Sequence, residues 1–498
     1  MAYSGRFSRA ASHAVTLQAI QSSETAAGKG GVLPLLVGCG ALVYLLAIGD
    51  SFLQDSDTFW QIETGRWILA HGAVPTTDVF SFTKAGAPWM SSSWLAQVIF
   101  ALAMKAGWVG PVIVTAFAAA SAFALFAAYL ERYASALVTT ALTMLAVTLT
   151  VPHLLTRPHV LALPLMVGWF IGLIDAADRK AAPRWALLIV IALWANIHGG
   201  FGLGLLLIAP AALEALRQAD PARRVALALR WGAFGVAALA SCCATPYGWN
   251  TLIAAGKILS LGEVLTTLGE WAPADFSRFG PLEASILALI GVALWRGLSL
   301  PWPRLLLLLG LLHMALAHVR SIESFALLAP LALARPWAEQ LASRRTPPPG
   351  AKAEFVLPGW AAVASVLAIV GATIAVAPRL TYQFVETQMP EQALAAAQRN
   401  GAERILNGYE FGGYLISRRV PVFIDGRAEL YGERMVMDMV RAVAGRDTAA
   451  LDRFIVDYDI DATLLPAHAP IIGLMDRRAG WHRAYADDVA VVHLRDRQ

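Results

Sequence analysis

Two carboxylates stand one residue apart at Asp55 and Asp57, in a chain where charge is scarce. In extended backbone, residues two apart face the same way, so both acids present their oxygens to one side. A pair of this kind can hold Mg2+ or Mn2+ between its members. Alternatively, one acid can act as general base on an acceptor hydroxyl. The plainer role is capping, because Asp before a helix satisfies free N–H groups and complements the helix dipole.

Further polar groups recur at turns between apolar runs. "LLTRPHVL" places Arg157 and His159, "WANIHGGFGLG" places Asn196 and His198, and "AHVRSIESF" places His318, Arg320 and Glu323. Such groups are expensive at membrane depth, so each raises a functional hypothesis. Arg157, His159, His198 and Arg320 are candidates to hold a departing phosphate, which needs cations or strong donors beside it. Plainer readings are an Arg320–Glu323 ion pair and a helix end at Asn196–His198 before Gly199 and Gly200. No His-Glu-x-x-His zinc spacing, phosphate loop, dinucleotide fingerprint or serine nucleophile elbow occurs. Cys39, Cys242 and Cys243 lie in apolar runs and read as packing residues.

These residues must be positioned by a membrane bundle. The chain has 498 residues, of which 57% are hydrophobic and 15% charged. About a quarter charged is usual for a soluble domain. The net charge of +4 then belongs to loops facing anionic headgroups, not to a nucleic-acid footprint. Candidate spans are Val32–Gly49, Trp108–Leu130, Ala136–Val151, Val160–Ile174, Trp185–Ile197, Phe201–Leu216, Trp231–Ser241, Ala284–Trp295, Leu305–His318, Phe325–Ala334 and Trp360–Ala377. That makes about eleven helices. Residues 1–31 read as a cytoplasmic tail, 32–378 as the bundle with a periplasmic loop at 50–107, and 379–498 as a periplasmic domain.

Trp94–Ala106 decides the topology. Its length gives a rise of about 20 Å, short of the hydrocarbon core. If it crosses, the basic loops around Arg179, Arg217, Arg223 and Arg344 fall outside, against the positive-inside bias. The reading adopted is that it lies in the outer interface, so the basic loops are cytoplasmic. Asp55, Asp57, the polar turns and the C-terminal region then share the outer face. The stretch Asp55–Gly72 reads as a short amphipathic helix, with Thr58 and Gln61 spaced as a capping box and Trp60 and Trp67 at headgroup depth. Gly72 stops it before Pro75. The following loop adds Asp78, Ser81, Trp89 and Trp94, and loops of this length are usually functional.

After Arg379 charge rises and apolar runs shorten. "VPVFIDGR", "DATLLPA" and "DVAVVHLR" read as strands. "PEQALAAAQRNG" and "ERMVMDMVRAVAG" read as helices stopped at Gly401 and Gly445. In this small α/β domain, glycine turns in "ILNGYEFGGYLISRRVPVFIDGRAELYG" present Tyr409, Asp425, Arg427 and Glu429 at a strand end, a common way to build a site. With Asp78 they are candidates to bind an acceptor. An Asp425–Arg427 ion pair inside a folded domain is the plainer account.

An acidic D-x-D after the first span, two interfacial helices, a multi-span bundle and an outer C-terminal domain together resemble the GT-C superfamily of integral-membrane glycosyltransferases. The likeness is to the bacterial dolichyl-phosphate-mannose–protein mannosyltransferase-like group, whose relatives carry a His-Glu pair where this chain has Ser92–Ser93. "GYEFGGYLI" with "VFIDGR" distantly resembles the acceptor-gripping region of the oligosaccharyltransferase catalytic subunit, with Glu410–Phe411 in place of its Trp-Asp. The resemblance implies transfer of a sugar from a polyprenyl-phosphate donor to a glycan, lipid or protein at the periplasmic face of a bacterial inner membrane. It also implies Asp55 and Asp57 as the catalytic candidates. The alternatives are a lipid or oligosaccharide flippase and a non-catalytic scaffold for envelope polysaccharide assembly. Against a transporter, no inverted repeat is evident.

Overall fold

The computed structural model describes residues 32–259, 262, 269–344, 367, 371 and 379–496. The tail expected at 1–31, and nearly all of the span expected at Trp360–Ala377, lie outside them. In chain order the bundle helices are α1 (Leu33–Ala47), α2 (Asp57–His71), α3 (Trp94–Ala103), α4 (Val109–Leu130), α5 (Ala136–Thr150) and α6 (Pro158–Asp178). There follow α7 (Leu187–Ile197), α8 (Phe201–Leu206), α9 (Ile208–Gln218), α10 (Arg224–Ser241), α11 (Asn250–Leu259), α12 (Pro281–Arg296), α13 (Trp302–Ala317) and α14 (Ile322–Arg344). The stretches Val109–Leu130, Ala136–His153, Pro158–Asp178, Phe201–Gln218 and Pro221–Ser241 are long and apolar enough to cross a membrane. Leu33–Ala47, Leu187–Ile197 and Trp302–Ala317 are shorter apolar helices. This is a multi-pass membrane protein, mainly α-helical. Helix α14 runs on past the expected span Phe325–Ala334 to Arg344.

Contacts at the helix ends show which loops share a side. A Cβ on Gly49, just after α1, would meet Val112 near the start of α4 at 2.7 Å. The chain therefore leaves and re-enters the bundle at one end, with α2 and α3 between the two points. Arg157 before α6 and Arg320 before α14 lie at this same end. At the far end Arg304, which opens α13, bonds Asp178 of α6 at 2.7 Å and Glu214 of α9 at 2.9 Å. Arg132, after α4, bonds Asp175 there. This grouping of helix ends is the one that the non-crossing arrangement expects.

The α2–α3 pair is close-packed. A Cβ on Gly65 would lie 2.0 Å from the Gln97 carbonyl oxygen, so only glycine lets the backbones meet. Gln97 donates to Gln61 at 2.7 Å and accepts from Ser91 at 2.6 Å. The expected capping box is not formed. Gln61 turns to Gln97, and the Thr58 hydroxyl donates to the Thr156 carbonyl at 3.1 Å. Trp60, expected at headgroup depth, is buried and bonds a carboxylate instead.

The C-terminal domain has helices α15 (Glu391–Arg399), α16 (Gly412–Ser417), α17 (Ala428–Val443), α18 (Thr448–Asp457) and α19 (Ile472–Met475). Its strands are β1 (Ile405–Asn407), β2 (Ala462–Pro466), β3 (Trp481–Ala486) and β4 (Ala490–Arg495). The sheet order is β1-β2-β4-β3, parallel only between β1 and β2. The segment 420–427, expected as a strand, joins no ladder. It runs beside the outer loop, where Val422 donates to the Phe80 carbonyl and Phe82 to the Val422 carbonyl, both at 3.1 Å. Tertiary pairing with a loop replaces sheet pairing there. The domain is seated on the bundle end through Tyr382, whose hydroxyl donates to the Leu46 carbonyl at 2.5 Å.

Gly65→Val should overpack the α2–α3 contact and lower stability by about 1–3 kcal/mol. The measurement is a lower Tm of the detergent-solubilised protein. Gly40→Ala, where a Cβ meets nothing within 4 Å, should leave Tm unchanged or raised.

Candidate active site

The site grows from the first turn of α2. Asp55 Oδ1 accepts the Asp57 backbone N–H at 2.9 Å, which is the capping role. Its other oxygen faces the Arg157 guanidinium. Asp57 accepts Trp60 Nε1 at 3.0 Å on Oδ1 and Arg157 Nη2 at 2.6 Å on Oδ2. Capping and ion pairing are thus both realised, on different oxygens.

Local sequence explains how Arg157 arrives there. It precedes Pro158, the first residue of α6, and a residue before proline is pushed to extended backbone. Its φ of −130° and ψ of 156° throw the side chain aside from the helix axis. The turn is fastened by Thr156 N–H to the Phe52 carbonyl at 3.0 Å and by Thr58. Arg157 Nη1 also bonds Glu270 at 2.8 Å. Glu270 in turn takes Arg320 at 3.3 Å, and Arg320 lies over the Trp271 ring at 4.5 Å. Three carboxylates and two guanidiniums form one cluster with a single excess negative charge. The side chains of Asp55, Asp57 and Arg157 keep 18–20% exposure, so the cluster is reachable.

Burial pushes the Asp57 carboxyl up to about 7, against the pull of Arg157 and with the charge of Asp55 adding to the rise. Burial works the same way on Glu270, but Arg157 and then Arg320 outweigh it and hold that carboxyl below its ordinary range. His159 and His198 sit beside the cluster with ring centroids 6.1 Å apart. His198 Nδ1 accepts the Gly200 N–H at 3.0 Å, so its proton sits on Nε2. Burial and Arg320 hold this imidazole neutral, well below its usual pKa. Asn196 is a brace: it accepts Trp94 Nε1 at 2.8 Å and donates to the Ala192 and Ala244 carbonyls. The expected Arg320–Glu323 pair is not formed among the described residues, because Glu270 takes Arg320 while Glu323 is buried.

The C-terminal domain closes over Asp57. A Cβ on Gly426 would lie 1.8 Å from Asp57 Oδ1, and one on Gly413 2.0 Å from the Ser56 carbonyl oxygen. Tyr409 faces the same place: burial raises its phenol pKa, and the charge of Asp57 raises it further. Asp78, Asp425 and Arg427, expected to bind acceptor, do something else. Arg427 bonds Asp78 at 2.6 Å and Asp425 at 2.6 and 2.8 Å, and Tyr431 donates to Asp425 at 2.7 Å. All three side chains of that ion-pair group are fully buried, and Arg427 stacks 4.6 Å over Trp89. They rivet the outer loop to the domain and have no face left for an acceptor. Glu429 remains exposed at the rim, accepting Trp89 Nε1 at 3.1 Å.

The position between Asp55 and Asp57 that Mg2+ or Mn2+ would take is held by the Arg157 guanidinium. Among the described residues, no group of three or more His, Cys, Asp or Glu is set out to hold a metal. In this arrangement both acids are matched to a guanidinium.

No protein-family model and no curated protein sequence matches the chain. Among solved structures it is similar to the mycobacterial arabinofuranosyltransferase AftD, seen by single-particle cryo-EM, with a TM-score of 0.45 and 14% identity. The likeness covers 93% of this chain and 40% of that one, so this chain spans about two fifths of the length of AftD. A likeness of that size leaves the activity to be argued from the site itself.

The structure brings together Asp55, Asp57, Arg157, His159, His198, Arg320 and Tyr409, which sequence reasoning had placed only on one face. That reasoning missed Glu270, Trp60, Gly413 and Gly426. A lone acid in "TLGEWAPAD" between apolar runs was the available signal for Glu270, and the tight "EFGG" and "DGR" turns were the signal for the glycines.

Arg427→Met should leave Asp78 and Asp425 buried without a partner and cost about 3–5 kcal/mol. Loss of the folded C-terminal domain to limited proteolysis checks this. Glu429→Gln should stay as resistant as the parent chain.

Proposed function

We propose that the protein is a membrane glycosyltransferase of GT-C type. In this reading it moves a sugar from a polyprenyl-phosphate-linked donor to a glycan, lipid or protein. The observation that carries the reading is the Asp57–Arg157 contact at the end of a membrane bundle, roofed by a soluble domain. A base and a phosphate-binding cation stand there in direct contact. The basic loops at the opposite end support a cytoplasmic N-terminus and a periplasmic site in a bacterial inner membrane.

In this mechanism the donor phosphate draws Arg157 and Arg320 away from the carboxylates, since a phosphate oxygen is the stronger partner for a planar guanidinium. Asp57 is then free to take the acceptor hydroxyl proton. The acceptor oxygen forms a bond to the anomeric carbon, and the bond from that carbon to the phosphate oxygen breaks, its electron pair leaving with the phosphate. Arg157 and Arg320 stabilise the charge that develops on the leaving oxygen. Neutral His198 offers its Nε2 proton to the same group. Tyr409 and Glu429, on the roofing domain, orient the acceptor.

Asp57→Asn preserves shape and the Trp60 bond but removes the base. With purified protein and radiolabelled polyprenyl-phosphate sugars, transfer should fall by about 10^2–10^4-fold. In the parent chain the rate should fall about tenfold per pH unit below about 7, where Asp57 takes up its proton, and level off above it. That acid limb should be absent from the residual Asn rate. Unchanged transfer in Asp57→Asn would sink the assignment and favour a scaffold.

A further inference from the structure

A second site lies at the far end of the bundle, where α9 turns into α10. A cavity of about 360 Å3 there is lined by Leu216, Arg217 and Arg224. Both arginines are exposed, and among the described residues neither is in an ion pair. Arg217 lies 5.4 Å over the Trp302 ring. Arg224 is oriented by its own turn, Nε donating to the Ala219 carbonyl at 3.2 Å and Nη2 to the Arg217 carbonyl at 3.4 Å. Asp220, in the turn between them, accepts the Ala222 N–H and pairs with neither, so two guanidiniums held by a ring and by carbonyls line the cavity with no acid in its lining.

A second cavity, of about 420 Å3, continues from Leu216 along the groove between α9 and α10. It is lined by apolar residues alone, with Ala209, Ala212, Gly232 and Gly235 as its small floor and Leu205 and Leu239 at its top. Eleven residues separate Leu216 from Leu205, a rise of about 17 Å. One leaflet of hydrocarbon is about 15 Å deep. An apolar trough one leaflet long, ending on two bare guanidiniums, has the shape and charge of one lipid molecule.

We propose that this is a binding site for a membrane lipid with an anionic phosphate headgroup. The phosphate lies between Arg217 and Arg224 and one acyl chain fills the trough up to Leu239. Arg217 and Arg224 stand at the opposite end of the bundle from Arg157, so this occupant is distinct from any sugar donor at the candidate active site.

The full chain, delipidated in detergent, is titrated with phosphatidylglycerol and read by native mass spectrometry. One lipid should bind, and phosphatidylcholine with the same chains should bind at least tenfold more weakly. Arg217→Gln with Arg224→Gln should lose at least tenfold in phosphatidylglycerol retention. Gly232→Phe should lose a similar amount by filling the trough. A Cβ at Gly232 meets nothing within 4 Å, and an unaltered Tm is the check that the fold accepts the ring. Inorganic phosphate at millimolar concentration should not displace the lipid. Equal retention by the parent chain, the double arginine variant and Gly232→Phe would overturn the proposal. Displacement by inorganic phosphate together with full retention in Gly232→Phe would show a free-anion site and overturn it equally.

Discussion

One guanidinium organises the end of the bundle that carries Asp57. Arg157 reaches Asp55, Asp57 and Glu270 from the first residue before α6. Arginine stays charged in any surroundings a protein offers, and its planar fork serves several oxygens at once. At the edge of a low-dielectric bundle such a charge must be met by acids, and acids this close together must be separated by a cation. Each side therefore requires the other. Because the three acids sit on different segments, meeting the charge also fixes the start of α2, the start of α6 and the turn at Glu270 relative to one another. The cluster anchors these segments to one another.

The same solution recurs twice elsewhere. Arg304, 2% exposed, ties α13 to Asp178 and Glu214 at the far end of the bundle. Arg427 ties the outer loop to the C-terminal domain through Asp78 and Asp425. These two are closed, with buried partners and no access. The Arg157 cluster differs in keeping some exposure and an unequal charge count. That difference separates groups that hold the fold from groups able to do chemistry, although all three clusters use the same residue types. Glycine plays the complementary part. At Gly65, Gly413 and Gly426 the absence of a side chain lets backbone come against backbone or carboxylate, and the roof can sit on Asp57 only because Gly426 has no Cβ.

Much of this was legible in advance. The distribution of basic residues among loops, together with the shortness of Trp94–Ala106, placed Asp55, Arg157, His198 and Arg320 at one end, and the helix ends meet as that required. Charge in a bilayer is so costly that loop composition reports topology directly. The errors have equally definite causes. Asp78, Asp425 and Arg427 look like a presented site in sequence because burial is invisible there. Residues 420–427 have the β-branched content of a strand, yet a loop more than three hundred residues away offered the hydrogen bonds first. Thr58 and Gln61 have capping-box spacing, but partners on other segments outbid the local backbone.

The amino-acid sequence by itself determined that this is a multi-pass, mainly helical membrane protein and that its scarce charges gather at turns. Those properties follow from local hydrophobicity, length and the price of charge in hydrocarbon, each readable along the chain. Only the tertiary structure decided which carboxylate meets which guanidinium, that Glu270 belongs to the cluster, and that Gly426 roofs Asp57 while Asp425 beside it turns inward. Those outcomes depend on distances of about 3 Å between segments far apart in sequence, and neither spacing nor composition carries such distances.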